Sequence, residues 1–350
     1  MEKFQEQIRE AAARRVPLRI RGGGTKDFYG NEPRGELLDT RSCSGIVSYE
    51  PSELVITVRC GTSLVEVQKL LEAENQMLAF EPPHFGPGAT VGGCVAAGLS
   101  GPRRASAGAV RDFLLGATLV DGAGRTLAFG GQVMKNVAGY DVSRLLAGSL
   151  GTLGLILEVS LKVAPRPVSE RTLAFEMPQA KALESMNRWS GQPLPVSASA
   201  WRDGALHLRL SGAQAAVNAA AGKLGGEPVD AAQAERFWSA LREQEDQFFA
   251  QEAPLWRLSL PSRAPQVDLP GDQMIEWGGA LRWLKSNAAA ETVRAAAAGA
   301  GGHATLFRAS DKQAGAFAPL PPEAARLHRE LKKTFDPAGI LNPGRLYAEF

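Results

Sequence analysis

The sequence contains little cysteine and little histidine. Its three cysteines stand singly without C-x-x-C spacing, so neither a disulfide framework nor an iron–sulfur cluster is expected. We interpret the cysteines as small buried residues or unreactive thiols. No histidine lies within three to five residues of another, so no local metal-binding pair and no metal site are predicted. These residues are Cys43, Cys60, Cys94, His84, His207, His303 and His328.

Long apolar runs and dense charge of one sign are also missing. No apolar run approaches the roughly 18–20 residues that cross a bilayer, and the N-terminal segment has no signal-peptide core. We therefore expect a cytoplasmic protein without a transmembrane segment. The formal net charge is only +2 over 350 residues. The basic pairs Arg103-Arg104 and Lys332-Lys333 are isolated, which argues against nucleic acid as a partner.

The stretch between Glu81 and Arg103 contains no charged residue and is rich in glycine. Glycine weakens strand interiors, but a backbone without Cβ atoms can bring successive N–H groups close to one anion. A helix that opens at Gly92 would add unpaired N–H donors. The stretch therefore predicts a phosphate-binding loop.

A second glycine loop lies upstream, at Arg21-Gly22-Gly23-Gly24-Thr25-Lys26, directly after the apolar run at 16–20. Backbone donors, one hydroxyl and one cation are the components of a phosphate cradle. Either loop alone is explained equally well as a tight turn. The two loops together favour a dinucleotide, because its pyrophosphate offers two anionic groups.

The motifs resemble, in type and order, the FAD-binding domain of the vanillyl-alcohol oxidase / para-cresol methylhydroxylase (PCMH) family. The matching segments are RGGGTK, GATVGG, AGAVRDFLLGATLVDGAGRTL and KNVAGYDVSRLLAGSLGTLGLI. Within that family, the chain is similar from end to end to the FAD-binding subunits of bacterial glycolate oxidases, through PPHFG, GPRR, GGQVMKNVAGYD, DLPG with WGGALRWLKS, GGHATLF and NPGRLYAEF. The resemblance implies an α+β fold: a PCMH-type FAD-binding domain of two subdomains, joined to an antiparallel-sheet cap domain.

The chain is expected to divide into three parts. Residues 1–166 form the FAD-binding domain, and 167–320 a cap of two β-α-β-like units, which side by side would make one broad antiparallel sheet with helices on one face. Residues 321–350 return to the FAD domain, and the glycine motifs stop at Pro165. Apolar periodicity and turn residues predict helices over 2–14, from 64, 135–147, 179–189, 212–224, 288–298 and 322–335. They predict strands over 37–39, 46–50, 54–59, 113–120, 125–129, 155–163, 172–176, 196–201, 205–210, 256–260, 274–277, 280–284 and 304–308.

The resemblance also implies which residues contact FAD. Gly151 and Gly154 would lie along the flavin and its ribityl chain, although such glycines also serve where a helix touches a sheet. Residues 103–110 offer no histidine that would carry the flavin covalently, so FAD is expected to be non-covalent. Ala107 stands where relatives often carry an aromatic residue, which puts tight binding in question. The expected contacts are Arg21, Gly22, Gly23, Gly24, Thr25, Lys26, Pro83, Gly88, Ala89, Thr90, Val91, Gly92, Gly93, Gly98, Gly108, Gly151, Gly154 and Ile156.

The resemblance implies an FAD-dependent oxidoreductase acting on CH–OH groups, within a complex that oxidises glycolate to glyoxylate. Relatives that oxidise 2-hydroxy acids carry a histidine-rich, metal-binding motif in the cap, and this sequence lacks it, so its catalytic residues stay unassigned. We expect substrate oxidation mainly in a homologous FAD-binding partner subunit, with electrons passing through flavin to an iron–sulfur subunit. Attachment to the inner membrane through these partners is left open.

Two other functions stay open. The chain is a free-standing FAD-dependent 2-hydroxy-acid dehydrogenase if an unusual base such as His303 serves it. It is a structural subunit if the FAD fold survives only as a scaffold. The intact glycine loops argue against the scaffold.

Overall fold

The structure is a computed structural model that describes residues 2–131, 141–250 and 253–350. Its helices are α1 (Glu2–Arg14), α2 (Leu64–Ala73), α3 (Val91–Ala97), α4 (Arg104–Ala107), α5 (Val110–Phe113), α6 (Ser143–Leu146), α7 (Gln179–Ser190), α8 (Gln214–Leu224), α9 (Ala231–Glu243), α10 (Ala290–Gly299) and α11 (Pro322–Phe335). Within the described ranges, none of them has the length and apolar character to span a bilayer.

The strands follow the predicted order closely. They are β1 (Leu18–Arg21), β2 (Glu36–Asp39), β3 (Ile46–Glu50), β4 (Val55–Arg59), β5 (Gln76–Met77), β6 (Leu114–Val120), β7 (Thr126–Gly130), β8 (Leu155–Lys162), β9 (Ala164–Pro165), β10 (Ser169–Glu176), β11 (Val196–Arg202), β12 (Ala205–Gly212), β13 (Glu227–Pro228), β14 (Leu255–Ser259), β15 (Asp272–Glu276), β16 (Leu281–Lys285) and β17 (His303–Arg308).

A five-stranded antiparallel sheet lies in the N-terminal part, in the order β3-β4-β8-β6-β7. The strands predicted over 113–120 and 125–129 are confirmed as β6 and β7, which pair as a hairpin. Helix α2 begins after Ser63, whose Oγ accepts a hydrogen bond from Val65 N at 3.2 Å. Apolar side chains of β4, β8, α2 and α3 form one core. β1 and β2 pair in parallel outside this sheet.

A broad eight-stranded antiparallel sheet follows, in the order β13-β10-β12-β11-β15-β16-β14-β17. The two predicted strand–helix units meet between β11 and β15, where Ala200 lies opposite Glu276. We expected helices on one face, where α7 and α8 pack on the β12 leucines. However, α9, which no prediction included, covers the opposite face: Trp238 Nε1 donates to Thr172 Oγ1 at 3.0 Å. Side chains alternate across a strand, so Thr172 and Leu173 mark opposite faces.

The C-terminal segment packs beside β1. Helix α11 has the predicted bounds, and Ile340 O accepts from Leu18 N at 2.7 Å while Asn342 N donates to Leu18 O at 2.9 Å. The Asn342 side chain accepts from Ile20 N at 2.7 Å and donates to Leu150 O at 2.6 Å. Residues 135–140 of the helix expected over 135–147 lie outside the described residues, and within 141–147 the structure has only the short helix α6.

Candidate cofactor-binding site

The loop from Arg21 to Lys26 borders a cavity of about 80 Å³ between β1, α3 and the C-terminal segment. Eight of the residues expected to contact FAD line it together: Arg21, Gly22, Gly23, Gly24, Thr25, Lys26, Thr90 and Gly93. The lining also contains residues that sequence reasoning did not select, namely Arg19, Ile20, Asp27, Pro33, Ala96, Ala97, Leu150, Asn342 and Arg345. The NPGR segment of the sequence was the available signal for the last two.

The two glycine loops touch each other. A Cβ atom added to Gly23 would lie 1.5 Å from Gly88 O, and one added to Gly22 would lie 2.3 Å from Thr90 Oγ1. Both distances are far below any van der Waals contact, so only glycine fits at these two positions. The loops therefore depend on each other for their shape.

Backbone donors differ between the two loops. The N–H groups of residues 22–26 donate to no other group in the described part of the chain. The α3 donors are already used: Val91 N bonds Thr62 O at 2.9 Å, Gly92 N bonds Cys60 O at 2.8 Å and Gly93 N bonds Thr90 Oγ1 at 3.3 Å. The expectation of unpaired donors at a helix opening at Gly92 is therefore wrong. The helix begins at Val91, and neighbouring loops and its own cap satisfy it.

Positive charge surrounds the cavity. Arg19 Nε is buried without a hydrogen-bond partner among the described residues, and Arg21 Nε donates to Asp27 Oδ2 at 2.7 Å. Burial lowers the pKa of Arg345 to about 10, despite the opposing effect of nearby Asp27. Lys26 Nζ donates to His84 O at 3.1 Å, and burial lowers the pKa of this lysine. Four cations against one carboxylate, with free N–H groups, fit a phosphate group of FAD.

The remaining expected contacts are not among the residues that line this cavity. Ala89, Val91 and Ile156 are buried in the core. Added Cβ atoms would meet backbone or side chains of this chain at several glycines: Gly88 (Gly23 O, 3.5 Å), Gly98 (Gly148 Cα, 2.8 Å), Gly108 (Asp112 Oδ2, 3.2 Å), Gly151 (Asn342 Nδ2, 2.7 Å) and Gly154 (Leu119 Cδ1, 2.3 Å). Close packing of the chain explains most of these glycines, and their contact with FAD stays a prediction.

A second cavity, of about 30 Å³, lies where residues 99–102 meet the eight-stranded sheet. Pro83 lines it, together with Arg257, Trp277 and Trp283. Glu276 faces it and accepts a hydrogen bond from Trp283 Nε1 at 2.7 Å. Complete burial raises the pKa of Glu276 to about 7. This cavity is therefore polar at its sheet side and aromatic around it.

The four histidines are engaged separately. His207 stacks on Phe237 with ring centroids 4.2 Å apart, and His328 packs against Tyr347 at 5.9 Å. Burial lowers the pKa of His84 and that of His303, which opens β17. In the part of the chain that the structure describes, no cluster of three histidine, cysteine or acidic residues suits a metal ion.

Comparisons with known proteins agree with this geometry. Two family models match: "FAD binding domain" over residues 1–130 and "FAD linked oxidases, C-terminal domain" over 310–346. The second match contains the segment that packs beside β1. Both sides of the 80 Å³ cavity therefore belong to regions that FAD-linked families share.

Solved structures show the fold. The chain resembles an alkyldihydroxyacetonephosphate synthase with a TM-score of 0.67 at 17% identity, over 98% of this chain and 75% of that one. At 17% identity, this similarity supports the PCMH-type α+β fold and nothing further.

Curated relatives are much closer in sequence. Glycolate oxidase subunit GlcD of Bacillus subtilis is 32% identical over 45% of this chain and 34% of its own length. Glycolate oxidase subunit GlcE of Escherichia coli is 51% identical over 98% of this chain and 96% of its own length. The chain therefore belongs to the family of glycolate oxidase subunit GlcE and is an FAD-dependent oxidoreductase component.

Proposed function

We propose that this chain is the FAD-binding subunit of a glycolate oxidase complex that converts glycolate to glyoxylate. The observation that carries the proposal is the cradle formed by residues 22–26, whose free N–H groups face a cavity ringed by cations. Successive backbone N–H groups of this kind form anion-binding sites, many of which bind phosphate groups. The end-to-end similarity to GlcE supports the same assignment.

The residues of the cradle have distinct roles in this proposal. The N–H groups of residues 22–26 bind phosphate oxygens, while Arg19 and Arg345 balance their charge. Asn342 holds β1 and the Leu150 turn in place through its two hydrogen bonds, so the C-terminal segment fixes one wall of the site. FAD, when bound without a covalent link, supplies the capacity to accept and pass on electrons.

Substrate oxidation is proposed to take place mainly in a homologous FAD-binding partner subunit. The separate packing of His207 and His328 supports this division, because neither is free to act as a base at a shared site. Electrons would then pass to an iron–sulfur subunit. The chain would work in the cytoplasm, attached to the inner membrane only through its partners.

We also propose the division into an FAD-binding part at 1–166, a cap at 167–320 and a returning segment at 321–350. The two separate sheets and the contacts of Asn342 with β1 support these bounds.

The test is the visible spectrum of the purified full-length chain, recorded before and after anaerobic addition of glycolate. The proposal expects a flavin band that glycolate bleaches only when the partner subunits are present. Bleaching of the isolated chain would instead establish a free-standing dehydrogenase. If the chain carries no flavin, either alone or in the complex, its FAD-type fold serves only as a structural scaffold.

A further inference from the structure

Helix α9 ends at Glu243, where a carboxylate is unfavourable for the helix itself. The last carbonyl groups of a helix carry partial negative charge, so they repel an acidic side chain in the last turn. Only 12% of the Glu243 side chain is exposed, which adds the cost of removing a charge from water. Arg242 Nε donates to Glu243 Oε1 at 2.7 Å, which leaves the second carboxylate oxygen for another partner.

The second oxygen of Glu243 binds the glycine-rich stretch of the FAD-binding part. His84 N and Phe85 N both donate to Glu243 Oε2, at 2.9 Å and 2.8 Å. Phe85 has a φ of 54°, in the left-handed region that a bulky residue adopts only under constraint. Successive N–H groups that point at one atom form a site for an anion. The carboxylate of Glu243 occupies this site and so holds the bend at Phe85.

The same bend reaches the cradle through the carbonyl group of His84. Lys26 Nζ donates to His84 O at 3.1 Å, and Lys26 lines the 80 Å³ cavity. The centre of the Phe85 ring lies 5.5 Å from Lys26 Nζ. Among the described residues Lys26 forms no ion pair, and its other hydrogen bond, to Thr25 Oγ1 at 3.4 Å, stays within its own loop. The bend therefore fixes the Lys26 ammonium group from outside that loop.

The position of α9 against the FAD-binding part is itself defined by packing. Trp238 and Leu241 of α9 belong to the same buried cluster as Tyr29, which follows the cradle loop. A Cβ atom added to Gly101 would lie 3.3 Å from Arg242 Cγ, so the end of the helix also lies close to the glycine-rich stretch. A carboxylate on a helix that is held in this way can hold a neighbouring loop in turn.

We propose that Glu243 is a positioning residue for the cofactor site: it holds the bend at residues 84–85, and the bend places the ammonium group of Lys26 at the cavity. Helix α9 thereby contributes to FAD binding through the backbone of another segment. The inference rests on the proposed function, because it concerns the affinity of the cradle for FAD. Since linkage between two sites is reciprocal, bound FAD should also strengthen the contact between the bend and α9.

Fluorescence titration of the flavin-free full-length chain with FAD tests the inference. A neutral amide accepts weaker hydrogen bonds than a carboxylate, so Glu243→Gln should weaken FAD binding about ten-fold. Lys26→Met should weaken it at least as much. Because Glu243 acts through Lys26, the double variant should bind FAD within about two-fold of Lys26→Met alone. Fully additive losses would mean that Glu243 acts by another route and would overturn the inference.

Glu235→Gln is the matched control for the titration. It removes the same charge from the same helix, and Glu235 is exposed and makes no ion pair within the described ranges. This variant should bind FAD like the unchanged chain. Unfolding temperatures measured without FAD establish that all variants are folded. Equal weakening by Glu235→Gln and Glu243→Gln would reduce the effect to the general charge of α9 and overturn the inference.

Amide hydrogen exchange at His84 and Phe85, measured without FAD, gives a second readout. Glu243→Gln should speed the exchange of these two amides about ten-fold, while Glu235→Gln should leave it unchanged. Unchanged exchange in Glu243→Gln would show that the carboxylate does not hold the bend, and the inference would fail.

These measurements separate the inference from the proposed function. A Glu243→Gln chain that binds FAD normally, in a complex that still oxidises glycolate, would overturn the inference and leave the proposed function intact. If the variants behave as expected but glycolate never bleaches the flavin in the complex, the positioning role of Glu243 is retained and the proposed function is lost.

Discussion

The cradle at residues 22–26 and the arginine pair Arg104 and Arg257, whose guanidinium carbons lie 4.5 and 5.2 Å from the centre of the Trp277 ring, both present N–H groups, but they are built differently. The cradle uses backbone N–H groups, which are available because no side chain occupies their space. The arginine pair uses long side chains from α4 and β14, which a buried ring holds in place. A backbone site depends on what the sequence omits, and a side-chain site depends on what the fold brings together.

Gly23→Ala, in the cradle, should have the largest effect on stability and on flavin content. The new Cβ would lie 1.5 Å from Gly88 O, so both glycine loops must separate. We expect a loss of more than about 3 kcal/mol in the free energy of unfolding and loss of bound flavin. Denaturant titration and the visible spectrum measure the two effects. Gly299→Ala, whose Cβ meets nothing within 4 Å, is the control and should retain flavin.

Glu81→Gln should have the second largest effect, because Glu81 joins the FAD-binding part to the eight-stranded sheet. It lies in the central glycine-rich stretch and binds Arg209 of the eight-stranded sheet at 2.9 Å. Removing the charge leaves the buried Arg103 and Arg209 with only the partly exposed Glu170 as an acid, at 2.5 and 3.9 Å, so we expect a loss of up to about 3 kcal/mol. Burial alone would raise the pKa of Glu81, but Arg209 and Arg103 outweigh it and hold the pKa below its ordinary value.

The lowered pKa of Glu81 makes the free energy of unfolding depend on pH. A carboxyl with a lowered native pKa contributes stability above its unfolded pKa of about 4.3, and the contribution is lost as the pH falls through the lower native value. Unfolding curves of Glu81→Gln and the unchanged chain should therefore differ at pH 7 and converge in acid. Glu235→Gln in α9 is the control, because this side chain is exposed and makes no ion pair within the described ranges. A difference that grows towards low pH would contradict the ion cluster.

Much of the cradle was visible in the sequence. Gly22 and Gly23 stand in a glycine run that is typical either of a tight turn or of the close approach of a backbone, and a second glycine loop favours the close approach. Alternating and helical periodicities likewise predicted β8 and α11, because their buried faces repeat regularly along the chain. Sequence periodicity predicts such elements because the residues that determine them lie close together in the chain.

The misses have a common physical reason. The donors of α3 are used by Cys60 and Thr62, which precede the helix by about thirty residues and approach it only in the fold. The pairing of Arg104, Arg257 and Trp277 spans still longer separations, and an isolated arginine in a strand is ordinarily a solvent-facing residue. Helix α9 is the exception: Ala234, Trp238 and Leu241 form an apolar stripe at helical spacing after the N-cap Asp230, so its signal was present in the sequence. Side-chain sites between distant segments leave no periodic signal.

Glu276→Gln tests the buried carboxyl at the end of β15 in the eight-stranded sheet. Burial raises the native pKa of Glu276 to about 7, above the unfolded value of about 4.3, so ionisation opposes folding as the pH rises between these values. The glutamine still accepts from Trp283 Nε1 and carries no charge. We expect the variant to be more stable than the unchanged chain by roughly 1–3 kcal/mol at pH 8 and equal near pH 4.

Chemical unfolding at both pH values measures this difference. A variant that is less stable at pH 8 would mean that Glu276 is ionised and paired with Arg257. That result would contradict the raised pKa of Glu276. Glu176→Gln, at the exposed end of β10, is the control and should show no such pH dependence.

Gly222→Ala should have the smallest effect, and of opposite sign to Gly23→Ala. Gly222 is exposed within α8, and a Cβ added there meets nothing within 4 Å. Alanine restricts the unfolded chain and favours the helix, so we expect a gain of about 0.5–1 kcal/mol and unchanged flavin content. Thermal unfolding checks the gain, and a loss of stability would show that α8 requires its glycine for packing. Opposite outcomes at Gly23 and Gly222 would support the close contact between Gly23 and Gly88 O. Both variants add the same methyl group, and only its surroundings differ.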